Sequence, residues 1–87
     1  MIIHETHSFK KSLKKLTKNQ KLSLAKALRT FKADPFDPSL LNHKLKGKQK
    51  WLRSFSAEHD LRIIYKAEGG HAIVFLLKAG THEQVYK

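Results

Sequence analysis

Six histidines in 87 residues, His4, His7, His43, His59, His71 and His82, supply an unusual density of side chains that titrate near neutrality. With an ordinary pKa of about 6.5, imidazole gives or takes a proton at physiological pH. In the stretch His59 to Lys66, HDLRIIYK, an acid and an arginine sit two apart, Asp60 and Arg62, within an apolar run. Charge in such a run is costly unless matched, so the two either hold each other or line a wet working face. Around Gly47 stand Lys44, Lys46, Lys48 and Lys50, with His43 at their head. Histidines, a guanidinium and clustered ammonium groups together suit proton transfer on an anionic substrate.

Other chemistries find no residues to carry them. The chain has no cysteine, which removes disulfides and thiolate metal sites, and it has no HExxH pair; no metal and no cofactor are expected. Gly-rich phosphate loops and serine elbows are also missing, and Gly69-Gly70 has no helix behind it. Lys and Arg number 18 against 7 Asp and Glu, a formal charge of +11 with a pI near 10.2. Such a surface draws polyanions or docks an acidic protein. No apolar run reaches the ~20 residues of a membrane span, and MIIHETHS lacks the order of a signal peptide. The expectation is one unprocessed domain over residues 1–87, soluble and cytoplasmic, with no membrane association.

The elements that must position these groups follow from patterning. Ile2 and Ile3 predict a short first strand, and Thr6 or Ser8 can cap the helix after it. Phe9, Leu13 and Leu16 fall on one helical stripe with lysines outside, and Leu24, Leu28 and Phe31 form the stripe of a second helix with Leu22 and Ala25 beside it. That second stripe is either core or, where exposed, a partner groove. Asp34, Pro35, Asp37 and Pro38 end the helical hairpin. Strands are predicted over Leu52 to Ser56, Asp60 to Lys66 and Ala72 to Lys78, the last two joined through Glu68-Gly69-Gly70. On the middle strand Leu61, Ile63 and Tyr65 face one side, Asp60, Arg62 and Ile64 the other. The order β, α, α, β, β, β predicts an α+β fold: an N-terminal strand and helical hairpin packed on one face of an antiparallel-rich, four-stranded sheet. Trp51 reads as a core cap or a contact for whatever the basic surface binds, and His4, His7 and His71 as surface residues.

The C-terminal half carries a resemblance. HKLKG from His43, then WLRSFSAEHDLRIIYK from Trp51, then GTHEQVY from Gly80 to Tyr86, are similar to the RelE-like toxins of bacterial type II toxin–antitoxin systems, and within that superfamily resemble the YafQ-type branch most. The resemblance implies the RelE-like fold and a metal-independent endoribonuclease, an mRNA interferase that cuts messenger RNA on the ribosome and is held by an acidic antitoxin. It implies catalytic roles for His43, Asp60, Arg62, His82 and Tyr86. Proton transfers fall to His43 and His82 in unassigned order, phosphate binding to Arg62 with Arg53 as a second candidate. Asp60 would orient a histidine or the 2'-OH, and Tyr86 would stack a base or place its hydroxyl near the phosphate. Lys44, Lys46, Lys48, Lys50, Arg53 and His59 are expected to contact RNA. One position departs from the branch: where its strand has a histidine this chain has Ser56, so either His59 takes over or fewer ionisable groups operate. Two other classes stay open: a ParE-like inhibitor of DNA gyrase, which resembles RelE proteins in fold but generally lacks a constellation like His43, Asp60 and His82, and a basic RNA-binding module with no reaction.

Overall fold

A computed structural model describes residues 1–58 and 60–86. The chain runs β1 (Ile2–Glu5), α1 (His7–Leu13), α2 (Lys18–Ala33), β2 (His43–Lys44), β3 (Arg53–Ser56), β4 (Leu61–Glu68), β5 (Ile73–Thr81) and α3 (His82–Val85). Short 3-10 turns lie at Pro38–Leu40 and Gly47–Gln49. The strands form one sheet in the order β1-β5-β4-β3-β2, with β1 parallel to β5 and the other pairs antiparallel. The expected α+β plan is present with five strands rather than four. The addition is β2, whose two residues are too few to show alternation in sequence. No described helix is long and apolar enough to cross a membrane.

Threonines start all three of the described α-helices. Thr6 accepts from the Phe9 N–H at 3.2 Å and donates to the Leu76 carbonyl at 2.7 Å, so the cap of α1 also ties it to β5. Thr17 and Gln20 form a reciprocal capping box at α2, and Thr81 and Gln84 form another at α3. The second helical stripe belongs to the core: Leu24 and Phe31 are buried, Leu28 packs against them, and Leu22 points outward. Phe31 stacks on Phe55 with centroids 4.4 Å apart and meets Tyr65 edge-on at 5.0 Å, joining α2 to the middle of the sheet.

On β4, Leu61, Ile63 and Tyr65 enter that core as the alternation predicts. Asp60 does not: it lies in the turn before β4, which begins at Leu61, one residue later than expected. On β5 the alternation breaks once. Ile64 pairs with Lys78 and Tyr65 with Leu76, leaving Leu77 as the extra residue of a bulge. The amide of Ala79 just beyond it donates to Ser12 Oγ at 3.0 Å, so α1 satisfies a donor close to the bulge. Because of the bulge, both Leu76 and Ala79 face the core, and Gly80 falls opposite Arg62 on the other face.

Candidate active site

The face of the sheet turned away from the helical core collects the reactive groups by register. His43 pairs with Ser54, Ser54 with Ile64, Ser56 with Arg62 and Arg62 with Gly80, so these positions share one side. Beyond Gly80 the chain turns into α3, and Gln84 folds back across the glycine. A Cβ at Gly80 would stand 2.8 Å from Gln84 Oε1, closer than real Cβ contacts come. The glycine, threonine and glutamine of GTHEQVY are therefore one device. Gly80 leaves room for Gln84, Thr81 and Gln84 cap the helix, and His82 becomes its first residue.

A groove of about 380 Å³ lies on this face, lined by His43, Lys44, Lys46, Ser56, Arg62, His82 and Tyr86 with Leu41 and Leu45. Four of the five residues expected to be catalytic thus meet in one groove. His43 is exposed, and its Nδ1 lies 3.0 Å from the Leu41 carbonyl. A carbonyl only accepts, so Nδ1 carries the proton, and whenever the ring is neutral its lone pair is on Nε2. Leu41, at φ +51 in the left-handed region, is held there at the end of the Pro38–Leu40 turn and presents that carbonyl. The guanidinium of Arg62 donates through Nη1 to Ser56 Oγ. Ser56 is buried, so it acts as the arginine's anchor rather than as a group that meets solvent. His82 and Tyr86 pack ring against ring, one helical turn apart, with centroids 4.5 Å apart and planes tilted by 55°.

Asp60, the fifth, is beside this groove rather than in it. Its Oδ2 accepts from the main-chain N–H of His82 at 3.3 Å, and it lines a larger cleft, about 600 Å³, with the first half of α2 and Glu58. That cleft holds neither Arg62 nor His82, and among the described residues the sole ion pair is Lys66 with Glu68 at 3.5 Å. The expectation that Asp60 and Arg62 share a strand face is thereby corrected: the aspartate comes before the strand and serves the start of α3.

Arg53 is also placed elsewhere. It pairs with Tyr65, whose side chain faces the core, and its Nε donates to Asn42 Oδ1 at 2.8 Å while the guanidinium lies 5.2 Å from the Phe36 ring. Lys50 joins Arg53 on that side, Lys44 borders both sides, and Lys48 is exposed on the Gly47–Gln49 turn. His59 lies outside the described residues. Among those described, no three His, Asp or Glu gather as metal ligands.

The patterning gives no sign of a half-buried polar chain behind His43. Asn42 Nδ2 donates to the Pro35 carbonyl at 2.8 Å and to the Tyr65 hydroxyl at 2.7 Å, and that hydroxyl lies 2.8 Å from His71 Nε2. The Tyr65 oxygen accepts from Asn42, so its own proton goes to His71. His71 is consequently no plain surface residue: it sits at φ +77, edge-on to Phe36, with its pKa pushed down by burial and then by the charge of Arg53. Burial raises that of Tyr65. The signal was a histidine directly after Gly69-Gly70, in a turn that needs left-handed residues.

Comparison with known proteins bears on the family and the fold. The family model for the bacterial toxin of type II toxin–antitoxin systems, YafQ, matches residues 1–87. Among solved structures, YafQ from E. coli strain BL21(DE3) is 22% identical, covering 98% of this chain and 97% of its own, with a TM-score of 0.78. The conserved hypothetical protein HP0894 from Helicobacter pylori is 26% identical over 95% and 96%, with a TM-score of 0.72. The E. coli DinJ–YafQ complex matches at 22% identity over 98% and 97%, TM-score 0.71. No curated protein matches the sequence. The family match along residues 1–87 leads to one assignment: the chain belongs to the YafQ family of toxins of bacterial type II toxin–antitoxin systems.

Proposed function

We propose that this toxin is an endoribonuclease that cuts messenger RNA on the ribosome, by attack of a ribose 2'-OH on the adjacent phosphate. The observation that carries the reading is the Nδ1–H of His43 on the Leu41 carbonyl, which leaves Nε2 as a proton acceptor in the groove that also holds Arg62 and His82. His43 takes the 2'-OH proton as the oxygen bonds to phosphorus. Arg62, steadied by Ser56, binds the non-bridging oxygens as negative charge builds. His82, in its protonated form, gives a proton to the departing 5' oxygen, leaving a 2',3'-cyclic phosphate and a 5'-OH. Asp60 fixes the main chain at His82, and Tyr86 backs the imidazole and offers its ring or hydroxyl to the substrate. All electrons are accounted for by these groups, with no further co-reactant. E. coli YafQ has been solved with DinJ, and a net charge of +11 suits an acidic antitoxin that wraps the basic surface here too.

The test is to add purified protein to a translation reaction and map breaks in the message and their ends. Breaks confined to translated message, with cyclic phosphate and 5'-OH termini, are expected. His82→Ala should lower their rate by about 100-fold or more, the scale of a lost general acid. Undiminished cleavage by that variant would sink the assignment, as would 5'-phosphate ends, which require water as nucleophile. Gyrase-dependent DNA breaks in place of RNA breaks would favour the ParE-like activity.

A further inference from the structure

Trp51 is 74% exposed, the most open of the large apolar side chains. An indole left in water on a basic protein gains most by covering a flat apolar partner. The loop that carries it is built to present it. Gly47, at φ +69, turns the chain into the Gly47–Gln49 turn, and the Leu45 N–H closes onto the Leu52 carbonyl at 3.0 Å. Lys50 Nζ lies 5.1 Å from the indole centroid. Beside Trp51 is a hollow of about 460 Å³ whose other walls include Lys44, Lys50, Arg53 and His71, with no carboxylate among its lining residues.

This hollow is on the opposite side of the β2 edge from the groove of His43 and Arg62. Lys44 and Leu45 line both, so the two adjoin at the end of the two-residue strand β2. We infer that an unpaired RNA strand leaving the groove crosses β2 and stacks a base on Trp51, its phosphates held by Lys44, Lys50 and Arg53. Every base has a face for an aromatic ring, so the contact adds affinity with little sequence preference, and a duplex, whose bases are covered, cannot make it. The path rests on the ribonuclease reading for what occupies the groove; the stacking itself does not require cleavage.

Trp51 is the single tryptophan of the chain, so its fluorescence reports the site directly. The wild-type protein is titrated at low salt with a 2'-O-methyl strand of about eight nucleotides, a length typical of single-strand sites. Parallel titrations use the matching duplex and a dinucleotide. The single strand is expected to quench Trp51. The duplex should bind by charge without quenching, and the dinucleotide should leave the signal unchanged at concentrations that saturate the longer strand. Trp51→Ala should weaken single-strand binding at least about fivefold and duplex binding hardly at all, with Trp51→Phe restoring most of the loss and Trp51→Leu little. Equal quenching by duplex or dinucleotide, or unchanged single-strand affinity in Trp51→Ala, overturns the inference. Quenching without message cleavage would sink the ribonuclease reading alone; cleavage with an unquenched tryptophan would sink the strand path alone.

Discussion

At the scale of single residues, Ser56 decides how Arg62 is used. An arginine side chain in solvent samples many rotamers, and a phosphate that binds it must order them. Here the Ser56 hydroxyl takes one guanidinium N–H from below and leaves the others for the groove. Ser56→Ala should therefore free Arg62 rather than unfold the protein. Ordering a long side chain costs about 1.5–2 kcal/mol of rotamer freedom, so cleavage should fall roughly tenfold. In the folded protein the freedom Arg62 regains offsets the lost hydrogen bond, and the melting temperature should move by only a few degrees. Cleavage kinetics beside a thermal melt check this, and full activity in Ser56→Ala would show that Arg62 needs no anchor. The neighbouring Ser54 differs: its hydroxyl is buried with no partner among the described residues, so it holds nothing in place.

At the scale of elements, the groove exists because four connections are fixed. The bulge at Leu77 sets the facing of Gly80, the Thr81 capping box sets α3, and Asp60 pins its first amide. The fourth is the chain from Arg53 through Asn42 and Tyr65 to His71, which ties the segment before His43 to the β4–β5 hairpin. That chain has a pH dependence. His71 has its pKa lowered in the fold, so below about 6.5 the unfolded chain takes up the proton more readily. The stability it contributes is complete above that value and is lost as pH falls through the lower, folded one. His71→Asn, which tolerates the left-handed backbone, should flatten the fall in melting temperature below about pH 6.5; an unaltered profile would place the acid sensitivity elsewhere. Much of this architecture is legible in sequence, since the stripes of Phe9, Leu24 and Phe31 and the alternation of Leu61, Ile63 and Tyr65 are strong periodic signals. The bulge is not, because the apolar run around Leu77 keeps no parity to break. Nor is α3, whose four residues hold no stripe, although T-x-x-Q at Thr81 repeats the box at Thr17. The link from His71 to Tyr65 depends on the hairpin that brings them together, and Asp60 was misplaced by a strand boundary off by one.

At the scale of the whole molecule, the +11 charge is divided among surfaces, and salt separates them. Lys44, Lys46 and Arg62 line the groove, and Lys50 and Arg53 border the Trp51 hollow, whereas Lys10, Lys11, Lys14 and Lys15 stand exposed on or just after α1. Each phosphate neutralised on a single strand steepens the fall of log affinity with log salt by about 0.7. A strand meeting the five groove and hollow cations therefore gives a slope of roughly −3.5, and one that also engaged the four α1 lysines would give roughly −6. Fluorescence titrations over a series of salt concentrations, with a strand of about twelve nucleotides so that phosphates are present for all nine cations, should return the shallower value. Arg62→Gln should reduce it by about 0.7, and replacing the four α1 lysines with glutamine should leave it unchanged. A slope near −6 that collapses in the α1 variant would instead put the helix face on the strand. The α1 lysines would then belong to the proposed RNA site rather than to a separate surface.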